Sequence, residues 1–304
     1  MTQIVTRGPR HSRSSAAPSQ APRARIRRRW AAPVFANVVT GISVLYALLP
    51  LLWLLLASGV DAEALFSSDF FSLKHFAFFD NIGALLSADD GGCLKRYGNS
   101  PLYAVAGATV GALLSTAAGY VFEKYEFTGK GALFTLVLVS VMVPATVLAL
   151  PLYLLAAGLG VANTVWSVLV PSLFNPFGVY LARVFAAGYV PDEVLEAARV
   201  DGATELRGFF AVGLRMLTPA YVTIFLFQLT TIWNNFFLPL VMLSDDSLYP
   251  LSLGLYSWNA LAPIDPDYYP LVVLGSLLAL LPLVLAFLLL QRYWRSGLTA
   301  GSVT

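Results

Sequence analysis

Six long apolar runs decide what this chain can fold into. They cover residues 34–58, 100–122, 131–157, 163–182, 217–243 and 269–290, and none contains Asp, Glu, Lys, Arg or His. Each is about 20 residues or more, the length of helix that crosses roughly 30 Å of hydrocarbon at about 1.5 Å per residue. A backbone in hydrocarbon must satisfy its own N–H and C=O groups, so runs of this length read as helices. The expected fold is all-α and integral to the membrane. Six transmembrane helices fill residues 34–292, between a tail at 1–33 and a short C-terminal tail at 293–304. The chain is 58% hydrophobic and only 12% charged, against about 25% charged in soluble domains.

The charges that remain are sorted by side. Sixteen of the 19 Lys and Arg fall on the side that holds the N-terminus, while Lys74, Lys95 and Arg96 fall on the other. The positive-inside rule then makes both termini cytoplasmic. Eight arginines and no acid in residues 1–33 read as a disordered cytoplasmic tail that orients the first span. Nucleic-acid binding and an organelle address are weaker readings of the same composition. The 25-residue run after the tail is too long for a signal-peptide core and long enough to span. A single cysteine, Cys93, excludes a disulfide framework; it reads as a bystander thiol in an outer loop.

One stretch breaks the apolar monotony. Residues 191–219, PDEVLEAARVDGATELRGFFAVGLRMLTP, carry seven charges between Asp192 and Arg207. Pro191, then Asp192 and Glu193, mark a helix start, with Leu195 and Ala198 on one side. Gly202 costs about 1 kcal/mol against Ala inside a helix and therefore marks a bend. A helical pattern resumes over 204–212. Two short helices at an angle, tethered between spans on the cytoplasmic side, suit docking into a groove of another protein.

Here the residues resemble a known family. Glu196, Ala197 and Ala198, followed after three residues by Gly202, with Asp201 before it and Ala203 after it, resemble the EAA loop of ABC-importer permeases. The run PDEVLEAARVDGA is similar to the carbohydrate-import branch, the maltose-permease (MalG) type. That family's pattern continues to I-x-L-P, whereas here Leu214 is followed by Arg215 and the proline comes at Pro219. The resemblance implies the type I ABC-importer permease fold, with residues 191–212 as the coupling helix that enters the ATP-hydrolysing subunit. Glu196, Ala197, Ala198, Asp201, Gly202, Ala203 and Phe209 are its expected coupling residues. The turn EKYEFTGK at 123–130 resembles a loop of the same family, and Gly297-x-x-x-Gly301 resembles its terminal tail that approaches the ATPase pair.

Elsewhere the signals are weaker. Gly107, Gly111, Ser115 and Gly119 put small residues on one broad helix face, which lets helices approach closely. Pro144, Pro151, Pro171 and Pro176 interrupt the third and fourth spans. In the fifth span Gln228, Thr231 and Asn235 fall within an arc of about 60°, with Asn234 beside it. Amides that both donate and accept suit a hydroxyl-rich cargo on a translocation path; interhelical hydrogen bonding is the equal alternative. Residues 59–99, rich in Phe, form a lid or an interfacial helix. Residues 244–267, with Pro250, Pro263 and Pro266, read as an ordered, non-helical outer element, and the resemblance implies that it meets a binding protein.

Chemistry is missing where an enzyme would need it. Gly129-Lys130-Gly131 lacks the spacing of a phosphate-binding loop, and no metal-ligand cluster or activated nucleophile is visible. No ionisable residue lies at membrane depth, as proton- or sodium-coupled carriers usually require. The chain is thus expected to be a non-enzymatic, movable gate without a cofactor of its own. The resemblance implies the partners: a second, MalF-like permease, an ABC ATPase dimer that binds ATP and Mg, an extracytoplasmic solute-binding protein, and membrane lipid, but no nucleic acid. It implies import of a mono- or oligosaccharide across a bacterial cell membrane. Another small solute (polyamine, phosphate or glycerol-phosphate) is the alternative, and an integral-membrane enzyme a more distant one.

Overall fold

The computed structural model describes residues 24–67 and 76–299; apart from one bridge between Val60 and Phe76, all regular structure among them is helical. The chain divides into two units, residues 1–52 and 53–304. The first is dominated by helix α1 (Ala24–Ala57), which carries on into the start of the second. It begins upstream of the expected start at Val34, so the tail expected at 1–33 is helical from Ala24, and residues 1–23 lie outside the described part. Every side chain from Pro33 to Leu52 is exposed, with Phe35 at 70% and Tyr46 at 78%. A helix apolar all round suits a lipid-facing span.

The second unit is organised by a helix of small residues. After α2 (Phe78–Ser87) comes α3 (Gly92–Lys124), 33 residues long. Its buried face runs Tyr103, Ala104, Gly107, Ala108, Gly111, Ala112, Ser115, Thr116, Gly119, a repeat of three and four that keeps one side of the helix narrow. Neighbours use the room. A Cβ on Gly107 would stand 2.7 Å from the Ile232 methyl, and one on Gly119 would stand 2.5 Å from the Ala182 methyl. Lipid tails are as apolar as leucine, so packing at this distance, more than burial itself, holds such helices together.

The rest of the unit wraps that face. α4 (Lys130–Val141) and α5 (Ala145–Gly158) form a pair bent by 107°; Pro144 ends the first and caps the second. The third expected span, over 131–157, is therefore sharply broken. α6 (Val165–Ser172) and α7 (Pro176–Tyr189) make one span with a break at 173–175. Then follow α8 (Asp192–Val200), α9 (Glu205–Gly208), a π-helical turn at Phe209–Gly213, and α10 (Leu214–Met216). α11 (Thr218–Asn234), α12 (Phe237–Met242), α13 (Leu251–Leu261) and α14 (Tyr268–Thr299) complete the chain. Among the described residues four helices are long and apolar enough to cross a membrane, or up to six if each bent pair counts as one.

Three expectations are corrected. Residues 244–267 are not devoid of helix: Leu251, Gly254 and Trp258 recur every three or four residues and are buried, and the prolines bracket α13, with Pro250 as its N-cap. The fifth span does not run straight from 217 to 243. Asn235 leaves the helix with extended backbone, and its Oδ1 accepts from Leu238 N at the start of α12. Cys93 is not in a loop but buried in the first turn of α3, against Leu85, Trp258 and Leu274.

Candidate functional site

The site is built from the end of α3 and the stretch between α7 and α11. Pro191, with φ −64° and ψ 143°, caps α8; Asp192 and Glu193 lie in its first turn and Arg199 in its last, each complementing the helix dipole. Leu195 is 6% exposed and packs with Tyr120, Val190 and Phe209. This one anchor buries the inner face of α8. The other face, with Glu193, Glu196 and Ala197, stays exposed.

The spacing from Ala198 to Ala203 has a backbone explanation. Gly202 has φ +80°, its N–H donates to Arg199 O at 3.0 Å, and Ala203 N–H donates to Ala198 O at 3.0 Å. These two bonds are a Schellman motif, whose left-handed position favours glycine and whose flanking residues touch. Ala198 and Ala203 are accordingly both half-buried. Nothing lies within 4 Å of a Cβ built on Gly202, so backbone conformation and not crowding requires glycine there. Thr204 then caps α9 through Arg207 N.

Ties to α3 set the tilt of this element. Lys124 Nζ lies 2.8 Å from Asp192 Oδ1, and Arg183 Nε lies 3.1 Å from Glu123 Oε2 with its guanidinium 4.2 Å above the Phe134 ring. Glu205 accepts from Arg199 Nε at 3.0 Å and from the Tyr125 hydroxyl. Hydrogen bonds from Arg199 and then Tyr125 hold the Glu205 carboxyl below its ordinary range, while burial and then Glu205 push the Tyr125 hydroxyl up. The folded pKa of Glu205 is the depressed one. Its contribution to stability is thus present above the unfolded value of about 4.3 and is lost as pH falls through the folded value.

With those acids engaged, the outward surface is simple. Glu193, Glu196 and Asp201 are exposed and form no ion pair among the described residues. Beside them stand Val200 at 87%, Leu206 at 74% and Phe210 at 54% exposure. Of the segment's five acids and two bases, three acids and the exposed Arg207 are left to an incoming partner. Of the residues expected to couple, Glu196, Ala197, Asp201 and Gly202 lie on the exposed surface and Ala198 and Ala203 under it. Phe209 does not belong with them: it is 7% exposed, with its ring centroid 5.1 Å from that of Tyr120. The exposure of Val200 is legible in the sequence, since it falls roughly opposite Leu195 on the helix.

The expected polar arc of the fifth span is split apart. Gln228 is 4% exposed and bonded to Ser172 O and to Asn175. Thr231 and Asn234 are exposed, each donating to the backbone of its own helix, at Phe227 O and Thr230 O. Asn235 is spent on capping α12. Gly297 lies within α14, and Gly301 lies outside the described residues.

The family of binding-protein-dependent transport system inner membrane components matches residues 107–299, from the middle of α3 to the end of α14. The chain belongs to this family. Among its relatives, the arabinooligosaccharides transport system permease protein AraQ of Halalkalibacterium halodurans is 35% identical over 207 residues, 68% of this chain and 73% of its own. The lactose transport system permease protein LacG of Rhizobium radiobacter is 30% identical over 227 residues, 75% of this chain and 81% of its own. A chain of a bacterial ABC transporter involved in the import of the acidic polysaccharide alginate superposes with a TM-score of 0.72 at 22% identity. The match covers 91% of this permease and all of that chain. The fold is thus that of an ABC-importer permease, and the protein is a multi-pass membrane transport component.

Proposed function

We propose that this permease forms half of the translocation pathway of an ATP-driven, binding-protein-dependent importer of oligosaccharides. Its partners are a second permease, a separate ATPase dimer and an extracytoplasmic binding protein. The observation that carries the coupling role is the surface of residues 193–206. Three acids that form no ion pair among the described residues and two exposed apolar side chains sit on α8, the turn after it and α9, a segment whose inner face is anchored by Leu195 and whose ends join the membrane domain. Such a surface fits a partner groove with basic walls and an apolar floor. Both termini and this surface are cytoplasmic, as the Lys and Arg distribution favours. Relatives named for arabinooligosaccharides and lactose support a sugar cargo. The exposed Thr231 and Asn234, uncharged and able to hydrogen-bond hydroxyls, are the residues of this chain that face it.

The test is affinity purification of the tagged chain from its native membrane in mild detergent, with partner stoichiometry by mass spectrometry. The expected assembly holds two ATPase copies, one second permease and one copy of this chain. Purification of the chain alone, at any salt, overturns the reading.

A further inference from the structure

Gln228 occupies a position that an interhelical contact alone does not explain. It sits where the fourth span is broken. Pro176 has no N–H, so the Ser172 carbonyl four residues earlier loses its helical partner. The Gln228 Nε2 supplies one, at 2.8 Å. At the same time Gln228 Oε1 accepts from Asn175 Nδ2 at 3.2 Å, and Asn175 Oδ1 caps α7 by accepting from Gly178 N at 2.8 Å. Ser115 of α3 donates to the Asn175 carbonyl at 3.3 Å. The amide gives and takes at once here: an ionised carboxylate cannot donate, and an apolar side chain can do neither. The amide lies directly on Gly111, where any Cβ would collide with it.

The connectivity gives the contact its meaning. α7 leads into the coupling element and α11 leads out of it, and Asn175 and Gln228 belong to those two arms. We propose that Asn175 and Gln228 are a positioning pair for transport. They clamp the two arms, together with the end of α6 at Ser172, over the glycine face of α3, so that a displacement of the coupling element moves both arms as one lever. Small sliding of packed helices is a known form of such motion. The inference rests on the proposed coupling to an ATPase.

The experiment compares the purified complex in proteoliposomes with its Gln228→Met variant, which keeps the length and volume of the side chain and removes both hydrogen bonds. Sugar uptake and ATP hydrolysis are followed against sugar concentration. The expected result is a loss of about tenfold in sugar moved per ATP hydrolysed, with the apparent KM for sugar within about twofold of the parent. Gln228→Ala combined with Gly111→Ala, in which the added methyl enters the vacated space, is expected to lose coupling in the same way. It serves as the second variant if the first fails to assemble. A raised KM or altered sugar selectivity at full coupling would make Gln228 a cargo ligand and overturn the pair's role. So would parental coupling, or a lower yield of complex with parental coupling, which would be a structural role alone. If the parent complex itself shows neither uptake nor ATP hydrolysis, the proposed function has failed, and the pair's role with it.

Discussion

The two ends of α3 hold their neighbouring segments in different ways. At the end near Lys124, the segment of α8 and α9 is tied by shallower ion pairs: Asp192 is 76% exposed although its partner Lys124 is only 7%, and Glu205 and Arg199 are 56% and 47% exposed. The Arg199–Glu205 pair, exposed at both members, contributes little. At the end near Gly92, the segment between α12 and α14 is sewn down by buried groups. Ser100 Oγ accepts from Leu251 N at 2.7 Å, Tyr103 donates to Leu248 O at 3.0 Å, and Asn99 donates to Ser247 O and Tyr249 O. Arg96, 5% exposed, lies 2.8 Å from Asp89 and 4.9 Å from the centre of the Trp258 ring, while Trp258 Nε1 donates to Asp89. One end is built to keep its surface available, and the other to keep its shape.

The comparison can be broken most sharply at Arg96. Arg96→Met removes the positive member of a buried cluster and leaves Asp89 with only the Trp258 donor. Breaking a buried pair costs about 3–5 kcal/mol, and Asp89, a third exposed, places this near the lower figure. The prediction is a clear fall in the thermal unfolding temperature of the detergent-purified protein. An unchanged transition would show that the α13 side is not held by this cluster.

A smaller effect is expected at the other end. Gly202→Ala forces a side chain into left-handed backbone and should cost about 1 kcal/mol. Since nothing surrounds the added methyl, all of that cost is conformational. Gly202→Asn, which tolerates the left-handed region, should recover most of it. Equal losses for Ala and Asn would mean that an unseen contact, and not the Schellman turn, selects glycine. Both measurements are thermal unfolding of the same preparation.

How far the sequence carries this account depends on the type of signal. The spans were legible because hydrocarbon thickness converts directly into run length, and the small-residue face of α3 because its period is that of a helix. The bend at Gly202 was legible because the signal is local: the six residues from Ala198 to Ala203 close their own turn. What failed was non-local. Phe209 follows a polar stretch and looks available, yet it is buried by Tyr120, nearly ninety positions earlier in the chain. Gln228 shares a helical arc with Thr231, but the missing N–H of Pro176 draws it inward. The prolines after residue 249 suggested an irregular segment, although one capped α13 and the others followed its end. The bends at 142–144 and at Asn235 came from breaks whose angle no run of apolar residues records.

The central claim is that the exposed face of α8 is where the ATPase docks, and site-specific photo-cross-linking tests it most directly. A benzophenone amino acid would be placed in turn at Ala197, on the exposed face, and at Ser247, exposed near the opposite end of α3, in the native membrane. The account expects the ATPase subunit to be captured from Ala197 and not from Ser247. Capture from both positions, or from Ser247 alone, or no ATPase at Ala197 while the assembled transporter is active, would contradict it.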